Sequence, residues 1–240
     1  MVPDSASGMT AKTASEADAS WRREREHRRH AHSHDAPAAL QQQFLDVVRR
    51  VSPQVVQIQT QRGLGSGVVY DREGDIVTNA HVAGTAKRLL VTLPGGKREQ
   101  ATLVGSDPSN DLAVIRLSSS TPAPATFGDS AGVHSGDIVF AIGNPLGLRS
   151  SVTQGIVSSI NRKVSEGNGV TLANAIQTSA EINPGNSGGA LVDLSGTVIG
   201  IPTLAALDPE FGGNQAPGIG FAINSDTVRR VAGRLIASEQ

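Results

Sequence analysis

Short aliphatic runs separated by turn-forming residues fill the chain between Val55 and Ile223. Each run is five to ten residues long, and the runs are broken by segments containing Gly, Pro, Asp and Asn, a pattern typical of strands rather than helices. The runs are 55–60, 66–70, 75–79, 88–93, 101–105, 112–117, 137–143, 151–160, 174–178, 189–194, 197–201 and 218–223. A stretch rich in Pro and Ala, 121–126, divides them into two similar halves. Many short strands at this spacing predict an all-β sandwich or barrel fold.

The composition supports this prediction and excludes several functions. Gly accounts for 27 of the 240 residues and aromatic residues for only 3%. The chain contains no Cys, which excludes a disulfide scaffold, a thiol nucleophile and a Cys-ligated zinc site. The formal net charge of −1 gives no electrostatic reason to expect nucleic acid or an anionic membrane as partner. We expect no membrane-spanning segment, and no secretory signal or anchor is visible.

The two ends of the chain differ from the strand-rich region. Residues 1–36 are polar and have no helical or strand periodicity, so we predict a disordered tail. Four of the six histidines, His27, His30, His32 and His34, lie there. They are typical of either a metal-binding tract or a solvated tail, and the lack of a folded scaffold favours the solvated tail.

Helices are predicted on either side of the strands. The N-terminal helix ends at Pro53. Its apolar face consists of Leu40, Phe44, Val47, Val48 and Val51. The C-terminal helix covers about 226–238, with Ser225-Asp226 as its predicted cap. Its apolar face consists of Val228, Val231, Leu235 and Ile236. The expected domain covers 37–240, with one group of strands at about 54–120 and the other at about 134–223.

One short segment, 183–189, has the residues needed for nucleophilic catalysis. It reads NPGNSGG, so that the hydroxyl of Ser187 is flanked by glycines and by backbone N–H groups that can converge on one point. A serine needs a base to remove its proton, and the usual base is histidine. Outside the tail the chain offers His81 and His134, and the residues alone leave this choice open.

The histidine in turn needs a carboxylate to orient it. Between His81 and Ser187 the aspartates are Asp107, Asp111, Asp129 and Asp137. Asp111 is favoured because it stands at the start of a strongly apolar strand. The G-x-S-x-G pattern of α/β-hydrolases is also present, but those enzymes need a histidine after the serine, and none follows Ser187. The sequence GLGSG at 63–67 lacks G-K-[ST] and enters a strand, so we interpret its residues as strand glycines.

Three segments together resemble the catalytic blocks of trypsin-like serine proteases. They are TNAHVAG at 78–84, SNDLAVIRL at 109–117 and INPGNSGGALVDLSGTVIGI at 182–201. They are most similar to the HtrA/DegP (Deg) branch. The resemblance implies two six-stranded antiparallel β-barrels of the chymotrypsin-like fold, with the active site in the cleft between them.

The resemblance also implies a role for each residue. Ser187 would be the nucleophile, His81 the general base and Asp111 its orienting acid. The N–H groups of Gly185 and Ser187 would form the oxyanion hole, with Asn186 between them. The substrate pocket would be formed by Glu181, Ile182, Thr203, Leu204, Ala205, Gly218, Ile219 and Gly220. Arg162 matches an arginine of the sensor loop in that branch, and 204–217 would be a loop bordering the pocket.

Three departures from the family pattern affect these expectations. Asn186 stands where secreted trypsins have Asp, so activation by zymogen cleavage is not expected. Most HtrA proteins carry a C-terminal PDZ domain, so the chain is expected to be a member without one or the protease domain of a longer protein. Glu181 is unusual at the pocket position. If it points inward it would favour basic substrate residues, and if it points outward Ile182 would shape a small aliphatic pocket.

The expected function is that of an ATP-independent serine endopeptidase acting on unfolded or damaged proteins. The resemblance implies protein or peptide substrates, no metal and no cofactor, an extracytoplasmic location and a possible homotrimer. The alternative is a protease fold that serves as a binding protein without hydrolysis, which the presence of all three triad residues disfavours.

Overall fold

The structure is a computed structural model that describes residues 36–60, 63–119, 122–144, 151–167, 170–183, 185–208 and 214–239. For 166, 167, 170, 204–208 and 214–217 only the backbone is described. The predicted disordered tail, with its four histidines, lies outside these ranges apart from residue 36. The chain divides into two units, Met1–Leu45 and Asp46–Gln240. The described part of the first unit is the beginning of helix α1, and the other elements described below belong to the second unit.

Three α-helices are described. Helix α1 covers 36–51 and is followed by a 3₁₀ turn, Ser52–Gln54, at the predicted Pro53. Helix α2 is the single turn Ala80–Ala83, and α3 is Ser225–Ala237. The predicted cap of α3 is wrong, because Asn224 takes that place and its side chain accepts a 2.8 Å hydrogen bond from the N–H of Thr227. Within the described ranges, no helix combines the length and apolar composition needed to cross a bilayer.

Each of the twelve predicted runs overlaps a strand of the structure. The first six strands are β1 Val55–Thr60, β2 Gly63–Val69, β3 Asp75–Thr78, β4 Arg88–Thr92, β5 Arg98–Asp107 and β6 Leu112–Leu117. The next six are β7 Ile138–Gly143, β8 Ser151–Gly167, β9 Val170–Thr178, β10 Ala190–Val192, β11 Val198–Asp208 and β12 Asn214–Asn224. The main differences are extensions, because β2, β5, β8, β9, β11 and β12 continue beyond their apolar runs.

The strands form two closed antiparallel barrels. The order around the first is β1-β2-β3-β6-β5-β4, and around the second it is β7-β8-β9-β12-β11-β10, read in the same sense. The two barrels therefore have the same strand order, because adding six to each strand number of the first gives the order of the second. The predicted fold class, two six-stranded antiparallel barrels with a helix near each end, is confirmed.

Each barrel is filled by its own aliphatic core. Large fully buried side chains in the first include Ile58, Ile76 and Ile115, and Ile176 and Leu191 lie in the second. The scarcity of aromatic residues is consistent with these interiors, which are packed almost entirely with Val, Ile, Leu and Ala.

Helix α3 follows the last strand of the second barrel but packs back on the first. A Cβ added to Gly105 of β5 would lie 3.0 Å from Leu235 Cδ2, so this glycine permits close packing of the helix. The guanidinium of Arg234 is paired with the Asp107 carboxylate at the end of the same strand. The helix therefore ties the two barrels together.

Candidate active site

His81 and Asp111 lie in direct contact on the first barrel. His81 is in α2, one turn after β3, and its Nδ1 lies 2.8 Å from Oδ2 and 3.0 Å from Oδ1 of Asp111. The backbone N–H of His81 donates a further 3.0 Å bond to Oδ1. The Asp111 side chain is 5% exposed and that of His81 49%. A carboxylate on Nδ1 places the proton there, which leaves Nε2 as the basic nitrogen.

The backbone around Asp111 holds its carboxylate in this position. Asp111 has left-handed dihedral angles, φ 48° and ψ 43°, between the 3₁₀ turn Pro108–Asn110 and β6. Its carbonyl accepts a 3.1 Å bond from Asn79 Nδ2, and Asn79 directly precedes α2. A non-glycine residue in this region is strained, and such strain is typical of functional sites.

Asp107 anchors the turn that presents Asp111. Its carboxylate accepts bonds from the Ser109 hydroxyl, from the N–H and side chain of Asn110, and from Arg234. Burial raises the pKa of the Asp107 carboxyl, but these hydrogen bonds outweigh burial and leave the pKa below its ordinary value. The turn is therefore held by an ionised carboxylate at neutral pH.

Ser187 lies on the second barrel, in the loop between β9 and β10. Its hydroxyl donates a 3.3 Å hydrogen bond to the backbone carbonyl of Thr203 in β11. The Thr203 hydroxyl in turn donates a 2.5 Å bond to Asp111 Oδ2. Thr203 thus links the serine to the aspartate, and the structure brings Ser187, Asp111 and His81 together where the two barrels meet.

The loop that carries Ser187 is folded around the Asn186 side chain. Its Oδ1 accepts a 3.1 Å bond from the N–H of Asn183, and its Nδ2 donates a 3.0 Å bond to the carbonyl of Glu181. The backbone N–H of Asn186 donates to the carbonyl of Asn183, so this N–H is not available to bind an oxyanion. By contrast, the N–H groups of Gly185 and Ser187 donate to no other described residue. Gly185 has φ 110°, which a glycine tolerates.

The predicted pocket residues fall into several environments. Glu181 is exposed, whereas Ile182 is buried in the core of the second barrel. A Cβ on Gly220 would lie 2.4 Å from Ile182 Cγ1, so Ile182 packs against the backbone of β12. Gly218 and Ile219 are exposed. For Leu204 and Ala205 only the backbone is described, paired with Phe221 and Gly220.

Thr203 was predicted as a pocket wall, but its side chain is buried and directed at Asp111. Its backbone carbonyl, and not its side chain, is therefore the group that contacts Ser187. The segment 204–217 is also not a simple loop, because most of it belongs to the β11–β12 hairpin. Arg162 likewise lies in β8, opposite Ala175 of β9, rather than in a loop.

Sequence reasoning missed the roles of Thr203 and Ser66. Ser66 lies in the GLGSG segment, which is strand β2 as predicted, but its hydroxyl donates a 2.5 Å bond to the carbonyl of Gly185. The signal in the sequence that could have indicated this role was a single polar residue between strand glycines. His134, the other candidate base, lies in the turn before β7, and its N–H donates to the carboxylate of Asp137.

Comparison with known proteins agrees with this geometry. The family described as "Trypsin-like peptidase domain" matches residues 65–201, more than half of the chain. The chain belongs to this family. The match begins one residue before Ser66 and includes His81, Asp111 and Ser187.

The relatives of this trypsin-like peptidase domain are HtrA-type proteins, which confirms the resemblance. Serine protease PepD of Mycobacterium tuberculosis is 40% identical over 213 residues, covering 80% of this chain and 46% of that protein. Serine endoprotease DegS of Escherichia coli is 40% identical over 202 residues, covering 79% and 56%. The solved structure "HtrA-type protease AlgW with tripeptide" aligns with a TM-score of 0.73 at 40% identity, covering 82% of this chain and 64% of that one. The chain thus spans about half the length of these curated relatives.

Proposed function

We propose that this domain is a serine endopeptidase in which Ser187, His81 and Asp111 form the catalytic triad. The observation that carries the proposal is the continuous set of hydrogen bonds from His81 Nδ1 to Asp111, from Thr203 to Asp111, and from Ser187 to Thr203. A buried carboxylate bonded to a half-exposed histidine and linked through Thr203 to a serine hydroxyl supplies the three groups of a Ser-His-Asp triad.

The chemistry follows from the positions of these atoms. Ser187 Oγ attacks the carbonyl carbon of the scissile peptide bond while His81 Nε2 removes its proton. Asp111 stabilises the resulting imidazolium through the bond to Nδ1. His81 then donates that proton to the departing amine, and a water molecule hydrolyses the acyl-enzyme by the same route. For the first step the Ser187 hydroxyl must leave the Thr203 carbonyl, and at 3.3 Å this bond is long enough to break at little cost.

The tetrahedral intermediate needs donors for its oxyanion, and we assign these to the N–H groups of Gly185 and Ser187. Asn186 holds the loop by bonding to the backbone of Asn183 and Glu181. Because this side chain is neutral, it needs no charged partner such as the new N-terminus that zymogen cleavage would supply. This supports a loop that forms without cleavage. A single oxyanion donor is typically worth about 10²–10³ in rate.

The substrates proposed are unfolded or damaged proteins, cleaved without ATP. The solved relative AlgW is recorded with a tripeptide, which supports a peptide ligand for the equivalent cleft. The exposure of Glu181 and the uncharged residues Gly218, Ile219 and Gly220 favour aliphatic rather than basic residues before the scissile bond. From the family resemblance we further propose an extracytoplasmic location and assembly as a homotrimer.

The test combines an activity-based probe with hydrolysis of an unfolded protein. The purified domain should react covalently with a fluorophosphonate and degrade casein, and Ser187→Ala should do neither while unfolding at the same temperature. Ser118→Ala is a matched control, because its hydroxyl lies on the surface and bonds only the carbonyl of Gln100. Casein cleavage that persists in repurified Ser187→Ala would contradict the mechanism. Failure of the unmodified protein to react with the probe would favour a protease fold used only for binding.

A further inference from the structure

Ser66 is a fully buried residue of the first barrel whose polar atoms are all hydrogen-bonded. Its hydroxyl donates to the carbonyl of Gly185 at 2.5 Å and accepts from the N–H of Asn144 at 2.8 Å. Its N–H donates to the carbonyl of Ser187 at 2.9 Å. Its own carbonyl accepts from the Thr78 hydroxyl at 2.6 Å. Strand β2 of one barrel is thus bonded directly to the nucleophile loop of the other.

We infer that Ser66 is a positioning residue that sets the direction of the two oxyanion donors, an inference that rests on the proposed function. The two carbonyls it binds belong to Gly185 and Ser187, the residues that carry the proposed donors. An N–H and a C=O of the same residue are separated by only two rotatable backbone bonds. Gly185 is free to rotate about both, since it has no side chain. The bond from the Ser66 hydroxyl removes that freedom.

The packing around Ser66 leaves this arrangement little room to relax. A Cβ on Gly188 would lie 2.3 Å from the Ser66 carbonyl oxygen, and one on Gly143 would lie 2.5 Å from Asn186 Cα. Both glycines therefore allow a backbone approach that no other residue permits. The nucleophile loop therefore lies in close contact with β2 at Gly188 and with β7 at Gly143.

Strand alternation explains why this position carries a serine. A Cβ on Gly65 would lie 2.5 Å from Val82, and one on Gly67 would lie 2.6 Å from Ile76. These flanking glycines thus face the interior of the first barrel. The side chain between them points to the opposite face, toward the second barrel. An alanine there would fit, but it would leave the Gly185 carbonyl and the Asn144 N–H without this hydroxyl.

A purely structural role for Ser66 makes a different prediction from a positioning role. If the hydroxyl only joins the barrels, its loss lowers the melting temperature but leaves kcat of the folded protein unchanged. If it positions the donors, its loss weakens interactions made with the tetrahedral intermediate while ground-state binding is unaffected. A fall in kcat with little change in KM therefore indicates a positioning role, and an unchanged kcat indicates a purely structural role.

The experiment compares Ser66→Ala with Ser225→Ala in the full chain. Ser225 is equally buried, and its hydroxyl has no partner among the described residues, so it is a matched control remote from the site. The measurements are kcat and KM on a fluorogenic peptide, affinity for a peptide boronate that forms a tetrahedral adduct, and thermal unfolding. For Ser66→Ala we expect kcat to fall about 10- to 100-fold, less than for complete loss of a donor, with KM within about threefold. The affinity of Ser66→Ala for the boronate should fall by the same factor as its kcat/KM. Ser225→Ala should match the unmodified protein in boronate affinity and in kcat/KM.

Unchanged kcat and boronate affinity in folded Ser66→Ala would overturn the inference, whatever its melting temperature. If Ser66→Ala does not fold, Ser66→Cys replaces it, because a thiol is a weaker donor of similar shape. Unchanged kcat and boronate affinity in that variant overturn the inference equally. Failure of the proposed function has a different signature, since the unmodified protein would then neither hydrolyse the peptide nor bind the boronate.

Discussion

Replacing Thr203 with valine tests the link between the two barrels at the site. Valine has nearly the same shape as threonine, so the change removes the hydroxyl that donates to Asp111 Oδ2 while keeping the backbone carbonyl that contacts Ser187. Asp111 retains its bonds from the N–H and ring of His81 but loses its donor from the second barrel.

The size of the effect follows from the charge and burial of the acceptor. A hydrogen bond to a charged group is worth about 1.5–3 kcal/mol, and no reduction for solvent screening is needed because the Asp111 side chain is only 5% exposed. For a folded unit of this size, about 1 kcal/mol shifts the melting temperature by about 2–4 °C, so we expect a fall of about 3–12 °C. If the same free energy were lost entirely from the transition state, kcat would fall by about 10- to 150-fold. We expect a loss near tenfold, since His81 keeps its own bonds to the carboxylate.

Thr92→Val provides the control for this substitution. Thr92 is similarly buried in β4, and its hydroxyl has no hydrogen-bond partner among the described residues. The assay is thermal unfolding together with kcat on a fluorogenic peptide, with the His81 Nδ1 proton followed by NMR. We expect Thr92→Val to unfold at or above the melting temperature of the unmodified protein and to keep its activity. If Thr203→Val behaves in the same way as Thr92→Val, the reasoning about the hydroxyl is refuted.

The remaining predictions concern the same residues and their supports. Asp111→Asn should lower kcat by about 10⁴, because the amide favours the wrong tautomer of His81; an effect below tenfold in steady-state kinetics would contradict the triad. Hydrolysis should accelerate as pH rises through about 6–7.5, where a histidine loses its proton, and a flat kcat/KM profile there would exclude His81 as the base. The pKa of Asp107 is lowered in the folded state, so its contribution to stability is complete above the ordinary carboxyl pKa of about 3.9 and is lost as pH falls through the lowered value. Arg234→Met should therefore lower the melting temperature at pH 7 and converge with the unmodified protein on acidification, whereas an equal deficit at every pH would argue against charge pairing. Glu181→Ala should leave the sites of casein cleavage unchanged, and loss of cuts after Arg or Lys, detected by sequencing the products, would show that Glu181 faces the pocket.

The strands and helices were largely predictable because their signals are local. Each aliphatic run bounded by turn residues became a strand, as LAVIRL at 112–117 did without any change of boundary. A continuous apolar run bounded by turn residues is a property of neighbouring residues, so the buried strand that it forms is visible in the sequence. The extensions of β8 and β9 carry polar residues such as Ser165 and Thr171, which are paired across the hairpin and have no apolar signal.

The cap of α3 and the place of Arg162 were mispredicted for a related reason. Both Asn224 and Ser225 are acceptable caps by composition, and only the backbone geometry selects Asn224, whose extended conformation directs its side chain at Thr227. Arg162 follows Asn161, which has φ 56°, and this turn in the backbone lies within a paired strand rather than ending it.

The sequence by itself determined a strand-rich fold in two halves, because each apolar run is written in contiguous residues. The family resemblance of the blocks around His81, Asp111 and Ser187 implied the two barrels and the chemical types at the site. Only the tertiary structure decided that Thr203 bonds Asp111 and that Ser66 bonds the nucleophile loop. These contacts join residues 92 and 119 positions apart, across two barrels that fold from separate halves of the chain. A hydrogen bond depends on the distance and direction between two atoms, and for residues so far apart these quantities exist only once both barrels have closed and packed together.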